Sequence, residues 1–411
     1  MNTKWKNKEP TISYWVFIGI VIFTCFYPTS INGKIQDEAN TFYICAYYGI
    51  AVLLSLLYMF TNEIALRRLK LLVYLMIYLA IATVISCCSI GGEFAIARLI
   101  YIFIAVVVLS TNDLPMINRH AILTSMEILT FVIIVWNLCI ILHANQVIDF
   151  SIAYYSQFNS STTAYYIQNR RPMFTFGAYS YASLFYALLF GFWYAATNNE
   201  VRKYTRGRYY AYLIALIVFQ FLLRGSIAFL LGSFMAFMFV KHFANRRSGL
   251  VLLPIFLLAA FCFVCQQNYD WTRLLVGNET NGFFSRYNTN MFEDNFKAIS
   301  ETILGIGYSI TQDYNIRYTD SGYIVLFTMG NAILPIAFYC SLYQKLKNNV
   351  PKALSRLVFI MLMLFEISLP SLIYAKTVLF LGAITFGIKS VSANKVPRCK
   401  NENKVEVKVG L

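Results

Sequence analysis

The chain has 411 residues, 58% of them hydrophobic, 17% aromatic and only 13% charged. A soluble domain is nearer a quarter charged and does not string apolar runs end to end, so this balance excludes an ordinary soluble protein and indicates a polytopic membrane protein. The formal charge of +15 would suggest nucleic acid in a soluble protein; in a membrane protein the placement of the charge decides, and no nucleic-acid partner is expected.

In chain order, apolar segments lie at 12–27, 41–60, 71–90, 94–110, 121–142, 177–196, 209–223, 226–240, 249–265, 322–343, 357–370 and 374–388. These make about twelve spans, against the ~20 residues that a membrane-crossing helix needs. Only helices and closed barrels can span lipid, and the runs lack strand alternation. The expected fold is therefore an all-α polytopic membrane bundle of about 12 transmembrane helices. The first, seventh, eighth and last two segments are short, and a re-entrant pair would lower the count to about ten or eleven. The chain reads as a single integral membrane domain, 1–411, with two long outer loops at 143–176 and 266–321 and a basic tail at 389–411. The first span lacks a convincing cleavage site after it and reads as an uncleaved anchor.

Lysine and arginine should collect on the cytoplasmic side. With the N-terminus inside and the spans alternating, most of the 34 basic residues do. They fall at Lys4, Lys6 and Lys8; Arg67, Arg68 and Lys70; Arg119; Arg202, Lys203, Arg206 and Arg208; Lys241, Arg246 and Arg247; Lys345, Lys347, Lys352 and Arg356; and along the tail from Lys389. Both termini are then cytoplasmic.

The stretch AYLIALIVFQFLLRGSIAFLLGSFMAFMFVKH, 211–242, is nearly all apolar yet carries Arg224 at its centre. A charge at the bilayer midplane costs about 2.5–3.5 kcal/mol on insertion scales. The alternation resolves the conflict: Arg224-Gly225-Ser226 is the turn between two short spans at the outer face, with Gly225 expected to permit the reversal. An arginine there either anchors the hairpin by snorkelling or serves a ligand at headgroup depth.

The nine cysteines form no spaced framework, and the three histidines are scattered. All nine read as packing residues, with no metal site and no cofactor expected. The two long outer loops are rich in tyrosine, asparagine and arginine, a composition that suits sugars: their C–H faces stack on rings and their hydroxyls bond amides and carboxylates. Most bases on the outer side are arginines, whose planar fork matches phosphate bidentately. Arg98, Arg170, Arg171, Arg224, Arg286 and Arg317 are candidates to converge on a lipid pyrophosphate; the alternative for each is a surface salt bridge with the outer acids. Glu366 and Lys376, beside the outer turn of the last two spans, are expected to pair with one another.

Four stretches together carry a family resemblance. FLLRGSIAFLLGSFMAFMF resembles the Arg-Gly hairpin of bacterial Wzy-type O-antigen polymerases and their ligase relatives. SRYNTNMFEDNFKAISETILGIGYS is similar to their large loop, TDSGYIVLFTMGNAILPIAFY to the segment that follows, and NRRPMFTFGAYSYASLFYALLF to the arginine-rich close of the other loop. The resemblance implies a bacterial inner-membrane glycosyltransferase of O-antigen or capsule (lipopolysaccharide) biosynthesis that joins oligosaccharide repeat units on an undecaprenyl-type polyprenyl pyrophosphate. Its partners would be those lipid-linked oligosaccharides, the membrane lipids and a chain-length regulator. Arg224 and Arg286 would stabilise the leaving pyrophosphate, with Asp320 the first choice of general base and Glu301 the second; Arg170, Arg171, Arg98, Arg317 and Tyr323 would bind pyrophosphate or sugar. The alternative for Asp320 is an N-cap on the following span. Ligases usually carry a histidine where this chain reads Asp320-Ser321-Gly322-Tyr323, which favours the polymerase over the ligase. A lipid-linked oligosaccharide flippase is the remaining alternative, but it would have short outer loops and related halves.

Overall fold

The computed structural model describes residues 9–28, 41–115, 119–155, 161–200, 203–244, 297–310, 321–367 and 369–392. In order these form α1 (Glu9–Phe26), α2 (Thr41–Thr61), β1 (Glu63–Ile64), α3 (Leu66–Ser89), β2 (Glu93–Phe94), α4 (Ile96–Ser110), β3 (Thr111–Asn112), α5 (Arg119–Ile141), α6 (Asn145–Tyr155), α7 (Ser161–Gln168), α8 (Tyr179–Asn199), α9 (Lys203–Leu222), α10 (Ser226–Ala244), β4 (Ser309–Ile310), α11 (Gly322–Gly330), α12 (Ile333–Asn349), α13 (Lys352–Glu366) and α14 (Ala375–Ser392). A further helical stretch covers 297–302.

The protein is mostly helical, and four of its described helical stretches, Phe42–Thr61, Leu66–Ser89, Arg119–Ile141 and Ala375–Ser392, are long and apolar enough to cross a membrane. Ile12–Phe26, Ile96–Ser110 and Ile227–His242 are apolar but shorter. The ninth expected span, 249–265, lies outside the described residues, as does most of the second long loop.

Helices α8 and α14 form the centre. Both are buried almost from end to end, as helices apolar on all sides must be. They pack on each other and on α1, α9, α10 and α13, while α2, α3, α4 and α12 complete one flank. The helix ends segregate as an alternating bundle requires. At one end β1 pairs antiparallel with β3, Arg119 meets Glu200 and Arg208 meets Glu127 at 3.7 Å each, and Lys389 donates to Asn349 at 3.1 Å. At the other end β2 pairs with β4, Tyr179 packs on Gly225, and Glu366 packs on Gly322. The charge pattern expects the first group on the cytoplasmic side and the second on the outer side.

The first long loop, 143–176, carries α6, α7 and a tight turn segment among its described residues. Several other expectations need correction. The expected tenth span is broken: Asn331, with φ 52°, separates α11 from α12. Many basic residues assigned to inner loops lie on helices, because α9, α12 and α13 extend into those segments. Of the six described cysteines Cys25 is buried, but Cys45, Cys87, Cys88 and Cys340 are exposed on helix surfaces and do not pack the interior.

The described end of the second loop shows why its Leu304-Gly305-Ile306-Gly307 pattern is needed. Ile306 and Gly307 donate to the carbonyls of Thr328 and Met329 on α11, and Tyr308 N–H donates to Thr83 Oγ1 on α3 at 2.8 Å. Both glycines adopt positive φ, and each lies where a side chain would strike the backbone of α11 or α3. The loop is thereby stitched between those two helices.

Candidate functional site: an arginine and tyrosine cluster at one end of the bundle

Helix α7 ends in a Schellman arrangement: Arg171 N–H donates to the Tyr166 carbonyl at 3.1 Å and Arg170 N–H to that of Ile167 at 3.0 Å. Arg170 takes the left-handed position, φ 59°, that glycine usually fills. Helix α9 closes similarly. Arg224 N–H donates to the Phe221 carbonyl at 3.2 Å, and Arg224 sits at φ 54°. An L-residue in this conformation costs about 1–2 kcal/mol relative to glycine, and two separate helix ends bear that cost with an arginine.

The two ends meet through an aromatic bridge. Tyr166 and Tyr179 stand edge to face, 5.1 Å between centroids at 90°. The Arg171 guanidinium lies over both rings, at 4.6 and 4.9 Å, a cation–π arrangement that holds it in one orientation. Tyr179 in turn packs against Gly225, where a side chain would overlap its ring. This corrects the expected role of Gly225. Arg224, not Gly225, takes the positive φ of the turn; Gly225 is needed because the Tyr179 ring approaches its backbone.

The resulting cluster is positive and has no acidic partner among the described residues. Burial, then the nearby Arg171 and Arg170 charges, hold the Arg224 guanidinium below its ordinary pKa. None of the three arginines forms an ion pair among the described residues. The Nε atoms of Arg171 and Arg224 are buried without a hydrogen-bond partner there. Buried polar atoms are nearly always satisfied, and arginine forks fit phosphate oxygens, so the arrangement suits a phosphate-like anion. Among the described residues no surface salt bridge involves any of the three.

No family model matches the chain, and neither a curated protein nor a solved structure is similar to it. Function therefore rests on this chain's own residues.

The other candidates are dispersed. Arg98 donates to the Ser309 carbonyl at 2.6 Å and so fastens the β2–β4 contact. Tyr323 donates to the Met363 carbonyl at 2.8 Å, with its ring 5.5 Å from that of Tyr339. Glu301 is exposed on the short helical stretch before β4. Arg286, Arg317 and Asp320 lie outside the described residues; the N-cap position of α11 belongs to Ser321.

Four buried charged residues have partners that sequence reasoning missed. Glu366 does not pair with Lys376. Its Oε1 accepts from Ser371 N–H at 2.7 Å, the Ser371 hydroxyl and Leu372 N–H, and its Oε2 accepts from Tyr339 at 3.3 Å while pressing on Gly322. Lys376 donates to the Tyr27 carbonyl at 2.7 Å. At the opposite end Lys345, expected in a loop, is fully buried and bonds fully buried Asp113 at 3.1 Å. Tyr58 also donates to that carboxylate, and Lys345 further donates to Tyr58 Oη at 3.0 Å and the Thr111 carbonyl at 3.2 Å. The signal for the pair was faint: an acid just past a span, and a lysine that continues the helical register of its own span.

Proposed function

We propose that the chain is a glycosyltransferase that polymerises polyprenyl-pyrophosphate-linked oligosaccharide repeat units at the outer face of the bacterial inner membrane, within a bundle of about twelve spans. The single observation that carries this reading is the convergence of Arg170, Arg171 and Arg224 into a cationic cluster without acidic partners among the described residues. In the reaction an acceptor hydroxyl oxygen bonds to the anomeric carbon of the donor as the bond from that carbon to the pyrophosphate oxygen breaks. The hydroxyl proton passes to a base, and polyprenyl pyrophosphate departs with the bonding electrons. Charge grows on the departing oxygens, so preorganised guanidinium groups stabilise the transition state more than the ground state. Arg171, clamped by two tyrosines, needs little reorganisation; Arg170 and Arg224 close on the anion from the two helix ends. A pyrophosphate on a lipid lies at headgroup depth, which is where a turn between two spans holds an arginine.

The test is the surface-glycan profile of a deletion strain, complemented by wild type and by Arg224→Ala, with the inserted amount of each protein measured. Anchors bearing a single repeat unit in the deletion, and no ladder from an inserted Arg224→Ala, support the reading. Bare anchors without any repeat unit would instead assign the protein to ligation or flipping.

A further inference from the structure

Helix α5 carries a stripe of exposed apolar residues at Ile128, Phe131, Val135 and Leu138, spaced so that they share one face, and Leu142 continues it just past the helix end. On a helix long and apolar enough to cross a membrane, such a face is turned to lipid. At His143, φ 60°, the chain reverses, and α6 does not leave for solvent. Its Phe150 and Tyr155 rings lie 5.9 and 6.4 Å from Trp136, in T-shaped contact. Trp136 precedes the end of α5 by five residues, about 7.5 Å along the axis at ~1.5 Å per residue. Tyr155 also donates to the Phe26 carbonyl at the last residue of α1, at 3.4 Å. Thus α6 folds back along the last turns of the bundle.

The faces of α6 are uneven. Ile148, Ser151 and Tyr155 are buried against the bundle. Asn145, Gln146 and Asp149 are exposed towards its N-terminal end. Phe150 and Tyr154, 51% and 40% exposed, stack on each other at 5.6 Å and 12° towards its C-terminal end. Exposed aromatic rings at the depth of Trp136, beside the lipid-facing stripe of α5, match the belt that aromatic side chains form at a membrane–water interface.

We propose that α6 is an interfacial helix: its C-terminal half is seated in the outer headgroup–acyl boundary with the Phe150–Tyr154 pair against lipid, and its N-terminal half rises to water. The partner is the phospholipid bilayer itself. Seated this way, α6 fixes the level of α7 and the turn that follows, and so holds Arg170 and Arg171 at the depth of lipid phosphates. The placement of α6 stands whether or not the glycosyl-transfer reading does.

The test uses the full-length protein, labelled with 5-fluorotryptophan, in phosphatidylglycerol–phosphatidylcholine nanodiscs and observed by fluorine NMR. Phe150→Trp adds one resonance, and Gln146→Trp on the same helix adds another in a separate sample. The Phe150→Trp resonance is expected to lose most of its intensity to a phospholipid with a nitroxide high on its acyl chain, and little to a water-soluble gadolinium chelate. The Gln146→Trp resonance should show the reverse. Equal broadening of both by the chelate would overturn the proposal in favour of a water-exposed loop. Protection of Phe150→Trp from both agents would overturn it in favour of a protein partner covering the pair. No glycan enters the readout, so its failure is separate from failure of the polymerase reading.

Discussion

Breaking the buried Asp113–Lys345 pair by removing one partner should destabilise the fold strongly, and a mutant cycle tests it. Both side chains are wholly buried, with Lys345 Nζ 3.1 Å from Asp113 Oδ1. At an effective dielectric of ~20, unit charges at that separation attract by about 5 kcal/mol. Much of that attraction offsets the desolvation of the two charges, so the pair adds little net stability over a neutral pair of similar shape. Removing one partner is different, because it strands the other charge: the expected cost is about 3–5 kcal/mol. Lys345→Met leaves the Asp113 carboxylate with only the Tyr58 hydroxyl among the described residues. Asp113→Asn leaves Lys345 with Tyr58 and Thr111, in company with Arg68, which also bonds the Thr111 carbonyl at 3.2 Å. Each single variant should therefore lower the unfolding temperature of the purified protein strongly. The double variant Asp113→Asn/Lys345→Met should lose less than either single one, a coupling of about 2 kcal/mol or more. The measurement is the midpoint of thermal unfolding in detergent at one fixed scan rate, since membrane proteins of this size unfold irreversibly. A double-variant loss equal to the sum of the single losses would refute the reasoning, because it would show that neither charge depends on the other.

Two further outcomes follow from close contacts at the opposite end. Arg170→Gly relieves a left-handed residue, so the protein should keep or gain stability, by about 1 kcal/mol, while glycan polymerisation falls; lost stability with intact polymerisation would show that Arg170 is a structural cap. Gly322→Ala drives a methyl group into the Glu366 carboxylate and also against the Pro370 backbone; it should destabilise the fold, and cost less in a Glu366→Ala background, where only the Pro370 contact remains, as measured by the same unfolding midpoints; equal cost in both backgrounds would mean that the carboxylate is not what Gly322 accommodates.

How much of this was legible beforehand depends on the kind of interaction. Apolar run length and the bias of lysine and arginine are local properties, set by the need to satisfy every backbone group within lipid and by the asymmetry of insertion. They suffice for the helical class and for apolar helices long enough to cross a membrane, and they put Arg224 at a turn. They also flagged Arg170 and Arg171, because an Arg-Arg pair beside aromatic residues at a span boundary is visible as composition.

What they could not supply is who meets whom across the bundle. Glu366 and Lys376 are ten residues apart and suggest a pair, but Ser371, Leu372 and Tyr339 satisfy the carboxylate first. Lys345 counts as a loop cation in the charge pattern, yet Asp113 and Tyr58, distant in sequence, draw it into the interior. The same holds for Gly225, whose need for a bare backbone comes from Tyr179 on another helix. Hydrophobicity and charge bias act on each segment separately and can be summed along the chain. Hydrogen bonding, ion pairing and ring contact between buried groups depend on the packing of several helices at once, and only that packing brings Arg224 beside the Arg170–Arg171 pair.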